Sequence, residues 1–436
     1  MTSRKQRLYF LLFIVVFSGC AKNNEPNHGV QYFKLAGLNR LVQATTTNPP
    51  TFYLYQSLTK DFQLAPAAEC GFGTLEDLSA AARLYLRHFE SSGDTTSRQQ
   101  AQRLLQTVLF LKKPDGLFFN WIARDGQPVS CNNDNINQFG YPEVHALWAL
   151  AVGVKNFEQP DPAFAQRMHA AFWQSFAHVD SCLQHYGKFY ERAGMKFPAW
   201  LPFRSSADAA SQLVLAGAAL APSALNDGQQ SQRLEAAMQR LAEGIQKMQA
   251  GDAEKFPHGA HLAFETYWHG WGNYAMQALA IAGARFNRQD FLTSALVEAD
   301  HFVPYLQQNQ FVHRFNLMET QANPNRLDYF PQTPADIQPL IAGLLELSHV
   351  TGDRRYARRA GEIARWFRGE NKAHEAVYIA KVGLAHDFVQ GHNNVASTFS
   401  AAATVESLLA ILEVENNAGA RREFYVKIEN VLEGKP

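Results

Sequence analysis

The sequence has no excess of either charge, few cysteines and no metal-binding motif. Forty basic residues balance forty acidic ones, which gives no support to nucleic acid as a partner, because such a protein needs a basic face. The four cysteines form no CxxC pair and no zinc-ligand spacing. The histidines form no HExxH pair on one helix face. We therefore expect no metal site and no required cofactor.

The first twenty residues have the composition of an export signal. Basic residues within 1–7 precede an apolar run of about a dozen residues, Leu8 to Gly19, which is shorter than a bilayer span and has the length of a signal-peptide core. The run ends at Cys20 after two small residues, which resembles a bacterial lipoprotein signal in which Cys20 is acylated. The alternatives are an ordinary cleaved signal and an uncleaved anchor.

On this interpretation, residues 1–19 are the signal peptide and residues 20–50 form a polar tether and N-terminal arm. Cys20 is followed by Ala21 and not by aspartate, which by the same resemblance implies an outer-membrane protein. It would face the periplasm and touch the membrane only through its lipid. In that compartment two of the three remaining cysteines could form a disulfide, and the sequence leaves the pairing open.

From about residue 74 onward, apolar residues recur at helical spacing, and the predicted helices fall into pairs that are often joined by short turns. Gly, Asn or Asp stands where several helices end, and a more charged helix follows. The first helix of each pair is rich in Ala, Leu and aromatics, as two concentric layers require. The predicted helices are 74–91, 98–112, 141–157, 161–184, 206–221, 229–249, 266–285, 289–307, 335–351, 354–369, 396–414 and 419–433.

Six helical hairpins that close on themselves make an all-α (α/α)6 barrel, a six-hairpin toroid. An open solenoid is the alternative, but it would need a fixed repeat period, and the unit length here varies. The loops before the inner helices are long, as at a working mouth, and one has a small β-hairpin signature around Asp125-Gly126. We predict a single barrel domain over residues 51–436.

Polar and aromatic residues recur where each inner helix begins, and in a barrel these starts would converge on one pit. For any single acid, capping of the helix N-terminus is the simpler interpretation. The stretch FETYWHGWGNY is different, because a buried helix rarely needs so many hydrogen-bonding groups. The candidate residues are Asp77, Glu143, His145, Asp208, Glu265, Tyr267, Trp268, His269, Trp271, Asn273, Gln332 and Asp336.

Aromatic residues beside carboxylates suit a sugar, because a ring stacks on the apolar face of a pyranose while carboxylates bind its hydroxyls. Cleavage of a glycoside needs two carboxyl groups, one protonated and the other ionised. We predict Glu265 as one catalytic carboxylate, with Glu143 or Asp77 as its partner. The aromatic residues of the motif, together with Trp121, would line the subsites.

The chain resembles the six-hairpin glycosidase superfamily, and within it the all-α glycosyltransferase-associated or uncharacterised (α/α)6 domains. The resemblance rests on the ordered motifs TLEDLSAAARLYL, FFNWIARDGQPV with EVHALWALA, FETYWHGWGNYAMQALAIAG, DYFPQTPADIQPL and WFRGENK. It implies an all-α barrel that acts on carbohydrate. The residues that it carries over by position are Asp77, Glu143, His145, Glu265, Asn273, Gln332, Asp336 and Asn371.

Two departures from the family motifs bear on catalysis. In the first motif, Glu76 stands where the family has one of two aspartates, and Leu78 stands where it has asparagine. In the last motif, Ala396 stands where the family has glutamate. Glu406 lies further along the same helix. If the missing glutamate is catalytic, the protein would bind a glycan without cutting it.

These observations predict a lipid-anchored periplasmic protein of carbohydrate metabolism, a hydrolase with an oligo- or polysaccharide substrate. A non-catalytic glycan-binding or scaffold lipoprotein is the first alternative. A uronate lyase or sugar epimerase is the second, and it would place Tyr267 and His269 in the cavity beside basic residues. A pair of facing carboxyl groups would instead favour the hydrolase.

Overall fold

Helices dominate the computed structural model, which describes residues 32–46, 50–66, 69–131, 138–323 and 326–432. The predictions for the signal peptide and for acylation of Cys20 lie outside these residues. The helices are α1 (Ala36–Leu41), α2 (Leu75–Ser92), α3 (Thr95–Phe110), α4 (Tyr141–Phe157), α5 (Pro162–Leu183), α6 (Ala207–Leu220), α7 (Gly228–Lys247), α8 (Ala275–Phe286), α9 (Gln289–Val297), α10 (Val303–Gln308), α11 (Leu317–Ala322), α12 (Pro334–Thr351), α13 (Arg354–Ala364), α14 (Ala401–Asn416) and α15 (Ala418–Leu432).

Short strands lie in the segments between the helices, mostly as antiparallel pairs. They are β1 (Val42–Ala44), β2 (Phe52–Leu54), β3 (Ser57–Leu58), β4 (Gly73–Thr74), β5 (Trp121–Ile122), β6 (Pro128–Val129), β7 (Phe189–Arg192), β8 (Met195–Pro198), β9 (Gln249–Ala250), β10 (Ala260–His261), β11 (Tyr267–His269), β12 (Arg314–Asn316), β13 (Tyr378–Ile379), β14 (Leu384–Ala385), β15 (Val389–Gly391), β16 (Asn394–Val395) and β17 (Phe399–Ser400).

Six inner helices form a closed ring. Each of α2, α4, α6, α8, α12 and α14 contacts the next, and α14 returns to contact α2. Outside them, α3, α5, α7, α9, α13 and α15 each pack on the inner helix that precedes them. The predicted all-α (α/α)6 barrel is therefore confirmed, and an open solenoid is excluded, because the last hairpin meets the first.

The sequence explains the two layers. In α6, ADAASQLVLAGAAL, Asp208 is the one charged residue and nearly every side chain is buried, as a helix enclosed on all sides requires. The outer helix α7 carries charge on its solvent face. Helix ends follow the predicted turn chemistry, since Gly93, Asn287 and Gly352 adopt left-handed backbone conformations directly after α2, α8 and α12.

Two predicted helix starts are wrong. Helix α8 begins at Ala275 and not at residue 266, because β11 pairs with β12 in the register Trp268↔Phe315. Helix α14 begins at Ala401 and not at 396, because the preceding residues pair with β3. In both places residues with helical spacing form strands, since strand pairing satisfies their backbone groups before the helix begins.

The predicted hairpin at Asp125-Gly126 is present as β5–β6, with Trp121 opposite Val129. It is not alone, because β7 and β8 form a longer hairpin over Phe189–Pro198. Cys70 and Cys131 form a disulfide with a Cα–Cα distance of 5.6 Å, which ties the segment before α2 to the segment after β6. Cys182 is a free thiol.

The described part of the predicted N-terminal arm packs on the barrel. Leu38 and Leu41 of α1 are fully buried, and the backbone N–H of Tyr32 donates to the carboxylate of Glu415 on α14 at 3.0 Å. Within the described ranges, no helix combines the length and hydropathy that a membrane span requires.

Close packing between the outer helices gives a test of the fold. A Cβ atom on Gly361 of α13 would lie 2.1 Å from the carbonyl oxygen of Ala420 on α15. We expect Gly361→Ala to lower the free energy of unfolding by about 1–3 kcal/mol, because the two helices must move apart. Gly228→Ala is the matched control, since nothing lies within 4 Å of its Cβ position. Urea unfolding of both variants measures the difference, and equal stabilities would contradict this packing.

Candidate active site

A cavity of about 1050 Å³ opens where the inner helices begin. All six inner hairpins contribute residues, because closure of the ring brings their N-terminal ends to one place. The lining consists of Glu76, Asp77, Ala80, Phe118, Asn120, Ser130, Gly140, Tyr141, Pro142, Glu143, His145, Phe203, Asp208, Gln212, Phe264, Tyr267, Trp268, His269, Trp271, Gly272, Tyr274, Arg314, Ala335, Ala402 and Glu406.

Four carboxyl groups of this lining have raised pKa values, and the rise is largest for Glu76, Asp77 and Glu406. Burial raises the pKa of Glu76 to about 7, and the charges of Asp77 and Glu143 add to the effect. Glu76 is exposed to the cavity, where the surrounding wall leaves it less hydrated than a carboxylate on an open surface. Burial also raises the pKa of Asp77 to about 6. The pKa of Glu406 on α14 rises to about 7 by burial, with the charge of Asp77 adding to the rise.

A buried guanidinium interacts electrostatically with one of these acids, Glu406. Arg83 is two turns along α2 from Glu76, is 4% exposed, and stacks 3.5 Å over the ring of Trp148. Its charge lowers the pKa of Glu406, which limits the rise caused by burial. Burial, together with Arg83, lowers the pKa of His145 to about 3. His145 is therefore uncharged at neutral pH, although it lines the cavity.

The predicted catalytic residue Glu143 lines the cavity but also caps its own helix. Its carboxylate accepts the backbone N–H of Gly140 at 2.7 Å and that of Phe118 at 3.0 Å. Glu143 stands three residues after Gly140, where a carboxylate satisfies free N–H groups of the first turn. These bonds oppose the rise in its pKa that burial causes.

Asp208 is the centre of a second polar group at the start of α6. The Tyr141 hydroxyl donates a hydrogen bond to Oδ2 of Asp208 at 2.8 Å, and the Ser206 hydroxyl donates to Oδ1. His269 places Nε2 3.4 Å from the same carboxylate. The Nδ1 atom of His269 donates to the carbonyl of Trp271 at 2.9 Å, so Nε2 is the nitrogen that remains for the cavity.

The aromatic residues of FETYWHGWGNY are not equally available to a sugar. His269 and His313 stack on Trp271 at centroid distances of 3.9 and 4.5 Å. Two imidazoles at these distances cannot lie side by side on one face, so they cover both faces of the indole. Trp268 is 2% exposed and packs in the core. Tyr267, at 44% exposed, is the most exposed aromatic side chain of this motif.

Glu265 is not among the cavity-lining residues, although its neighbour Phe264 is. Glu265 is 4% exposed and forms an ion pair with Arg192 of β7. The Tyr190 hydroxyl donates a hydrogen bond to its Oε1 atom at 3.0 Å. It also adopts a left-handed backbone, with φ of 45°, which costs a non-glycine residue energy. These contacts join the β7–β8 hairpin to the cavity wall, and a catalytic role for Glu265 stays a prediction.

Two predicted binding residues make structural hydrogen bonds away from the cavity lining. The side-chain N–H groups of Gln332 donate to the carbonyls of Gln310 and Phe311, and the residue is fully buried. Asn273 donates to the carbonyl of His261 at 3.0 Å. Both amides hold loops in place, which explains polar side chains there without a ligand.

Asp336 and Trp121 also lie outside the lining. Asp336 accepts the backbone N–H of Thr333 at 2.7 Å and pairs with Nδ1 of His313 at 3.0 Å, so it caps α12. Trp121 is 9% exposed in β5, opposite Val129. Asp336 reaches the cavity only indirectly, through the stack of His313 on Trp271.

Two lining residues, Gln212 and Glu406, lie outside the motifs that single out the candidate residues. Gln212 stands one turn after Asp208 in an otherwise apolar helix, and Glu406 stands in an apolar stretch of α14. A buried polar residue in such a helix is the signal that could have singled them out. Ala396 is buried outside the lining, so Glu406 is the glutamate that the last hairpin supplies.

Among the described residues, no group of three or more His, Cys, Asp or Glu side chains is arranged to hold a metal ion.

The barrel is similar to those of several solved structures. A cellobiose 2-epimerase from Spirochaeta thermophila DSM 6192 has a TM-score of 0.59 and 14% identity, covering 86% of this chain and 91% of that chain. A cellobiose 2-epimerase from Bacillus thermoamylovorans B4167 has a TM-score of 0.60 and 9% identity, covering 87% and 96%. A family 76 glycoside hydrolase from a bovine Bacteroides thetaiotaomicron strain has a TM-score of 0.53 and 13% identity, covering 84% and 73%.

These similarities show that the chain shares the (α/α)6 fold of these structures, the fold that the resemblance to the six-hairpin glycosidases implies. No protein-family model and no curated protein matches the sequence.

Adjacent aromatic residues give a test of this site. Trp268 packs parallel to Phe315 at a centroid distance of 5.4 Å and edge-on to Phe302. We expect Trp268→Ala to lower the free energy of unfolding by about 3–5 kcal/mol. Tyr267→Ala should change the free energy of unfolding by less than about 1 kcal/mol, because the ring is exposed. Thermal unfolding of both variants measures the difference, and similar stabilities would contradict the placement of Trp268 in the core and of Tyr267 at the surface of the cavity.

Proposed function

We propose that this protein hydrolyses glycosidic bonds in the cavity, with Asp77 and Glu406 as the carboxyl pair. The observation that carries the proposal is that these two groups line one cavity from neighbouring helices, α2 and α14, and interact electrostatically. Burial raises the pKa of both groups, that of Asp77 to about 6 and that of Glu406 to about 7, so near neutral pH one of the pair can hold a proton while the other is ionised. A glycosidase needs one carboxyl group of each kind.

In this reaction Glu406 donates its proton to the glycosidic oxygen as the bond from that oxygen to the anomeric carbon breaks. Asp77, ionised, accepts a proton from the water whose oxygen adds to the anomeric carbon. One water is consumed and two shorter saccharides form. A proton then passes from Asp77 to Glu406 through solvent, which restores the starting state.

Two further features support a saccharide as the substrate, and a third supports export of the protein. The cavity combines exposed Tyr267 and Tyr141 with buried hydrogen-bonding groups, which suits both faces of a sugar ring. The similar structures named above are an epimerase of cellobiose and a glycoside hydrolase. The Cys70–Cys131 disulfide is what an exported protein would form, and it accords with the proposal of a lipid anchor at Cys20 in the outer membrane.

The pKa values predict the pH dependence of hydrolysis. Below about pH 6 Asp77 gains a proton and can no longer activate water. Above about pH 7 Glu406 loses the proton that it must donate. We expect a bell-shaped profile of kcat/KM with its maximum between these values. Initial rates from pH 4 to 9 measure it, and a rate that stays level up to pH 9 would count against Glu406 as the acid.

Variants distinguish catalysis by Asp77 and Glu406 from catalysis by Glu265, which the sequence predicts. A reducing-end and mass-spectrometric screen against a glycan panel first identifies the substrate. We expect Asp77→Asn and Glu406→Gln to lower kcat by about 10²–10⁴-fold, because each removes a proton-transfer group. Glu265→Gln is the control, since its partners are Arg192 and Tyr190, and it should keep both limbs of the pH profile. Full loss in Glu265→Gln alone would restore Glu265 as the catalytic residue.

A sugar epimerase is the second candidate, and one observation favours it. Tyr267, His269 and Arg314 all line the cavity, and Nε2 of His269 lies 3.4 Å from the carboxylate of Asp208, so these two side chains form an acid/base pair at the cavity wall. Epimerisation would exchange deuterium from solvent at the carbon next to the carbonyl without shortening the chain, and His269→Ala would abolish the exchange. If neither products nor exchange form while saccharides still bind, the barrel is a binding module.

A further inference from the structure

The charges that face the cavity are unequal. Five acidic residues belong to its lining, and Arg314 is the one Arg or Lys among the lining residues. The Nε atom of Arg314 donates to the carboxylate of Asp328 at 2.7 Å, so its charge is already paired. His145 adds no positive charge, because burial and Arg83 hold its pKa near 3. Where these acids are ionised, the cavity has negative potential, which attracts cations and repels anions. A cation bound beside them would itself favour their ionised forms.

Glu76 is the acid of this lining that a ligand can reach most directly. Its side chain is exposed to the cavity. In the described part of the chain, its carboxylate has no hydrogen-bond or ion-pair partner, whereas Glu143 and Asp208 both accept hydrogen bonds. A carboxylate that lines a cavity without a partner is free to pair with a cation on the ligand, and that pairing favours its ionised form.

An independent observation points to a ligand that donates hydrogen bonds. Gln212 lines the same cavity and is 1% exposed. Its side-chain N–H donates to the carbonyl of Gly272, and its Oε1 atom has no partner within the described residues. A buried acceptor that is left open at a cavity wall favours a donor on the ligand.

We infer that the saccharide bound in this cavity is an amino sugar whose protonated amine is held by Glu76. This inference rests on the proposal that the cavity binds a saccharide. An ammonium group has three N–H donors, which can satisfy Glu76 and neighbouring acceptors, and its charge offsets the excess of acids. An N-acetylated sugar lacks this charge, and a uronate carries the opposite one. Glu76 therefore selects the substrate, while Asp77 and Glu406 carry out the reaction.

Binding to matched oligosaccharides tests the inference without requiring turnover. Calorimetric titration of the full-length protein at neutral pH would compare oligomers of glucosamine, of N-acetylglucosamine and of glucuronate of equal length. We expect glucosamine oligomers to bind at least about tenfold more tightly than the N-acetylated ones, and glucuronate oligomers not to bind. Added salt should weaken only the first of these interactions.

Glu76→Gln should remove the preference for the amine and leave binding of the N-acetylated oligomer unchanged. Glu90→Gln is the matched control, because it makes the same change at the other end of α2, where Glu90 pairs with Lys155. Three results would overturn the inference: equal affinity for the glucosamine and N-acetylglucosamine oligomers, tighter binding of the glucuronate oligomer, or an unchanged preference in Glu76→Gln. Amine-dependent binding without cleavage would contradict the hydrolase proposal and leave the amine site standing.

Discussion

Contact between α14 and α2, which closes the ring of inner helices, is the constraint on which the site depends. Closure brings the N-terminal ends of six helices to one opening and surrounds their side chains with protein. Burial then raises the pKa of Glu76, Asp77 and Glu406 together, although Glu406 lies on a different helix from the other two. An open arrangement of the same hairpins would expose these acids to water, and their pKa values would stay close to those of free carboxylic acids.

The structure separates acids that support the barrel from acids that are available to a ligand. Glu143 and Asp336 cap helices, and Glu265 holds the β7–β8 hairpin to the wall. Glu76 and Glu406 have little hydrogen bonding, and both face the cavity. Free acceptor capacity distinguishes a reactive carboxyl group from a structural one better than its position at the start of a helix does, because capping consumes that capacity.

Aromatic residues divide in the same way. FETYWHGWGNY has the composition of a sugar-binding surface, yet Trp268 fills the core and Trp271 lies between two histidines. The indole of Trp271 links His269 with Asp208 on one side and His313 with Asp336 on the other. It therefore fixes the orientation of a histidine at the cavity, which is a different role from stacking on a pyranose, although the residue types would serve for both.

The sequence by itself determined the barrel, because alternating apolar and charged helices with Gly and Asn at their ends admit few arrangements. It also indicated that polar residues at the inner-helix starts would meet. Only the tertiary structure decided which of them face the cavity. Helical spacing predicted α8 from residue 266, but pairing of β11 with β12 moves its start to Ala275 and turns Trp268 inward. Partners distant in the chain, such as Arg192 for Glu265 and Arg83 for Glu406, set the availability and charge of each acid. No local pattern contains them, because hydrogen bonds and burial depend on neighbours that folding supplies.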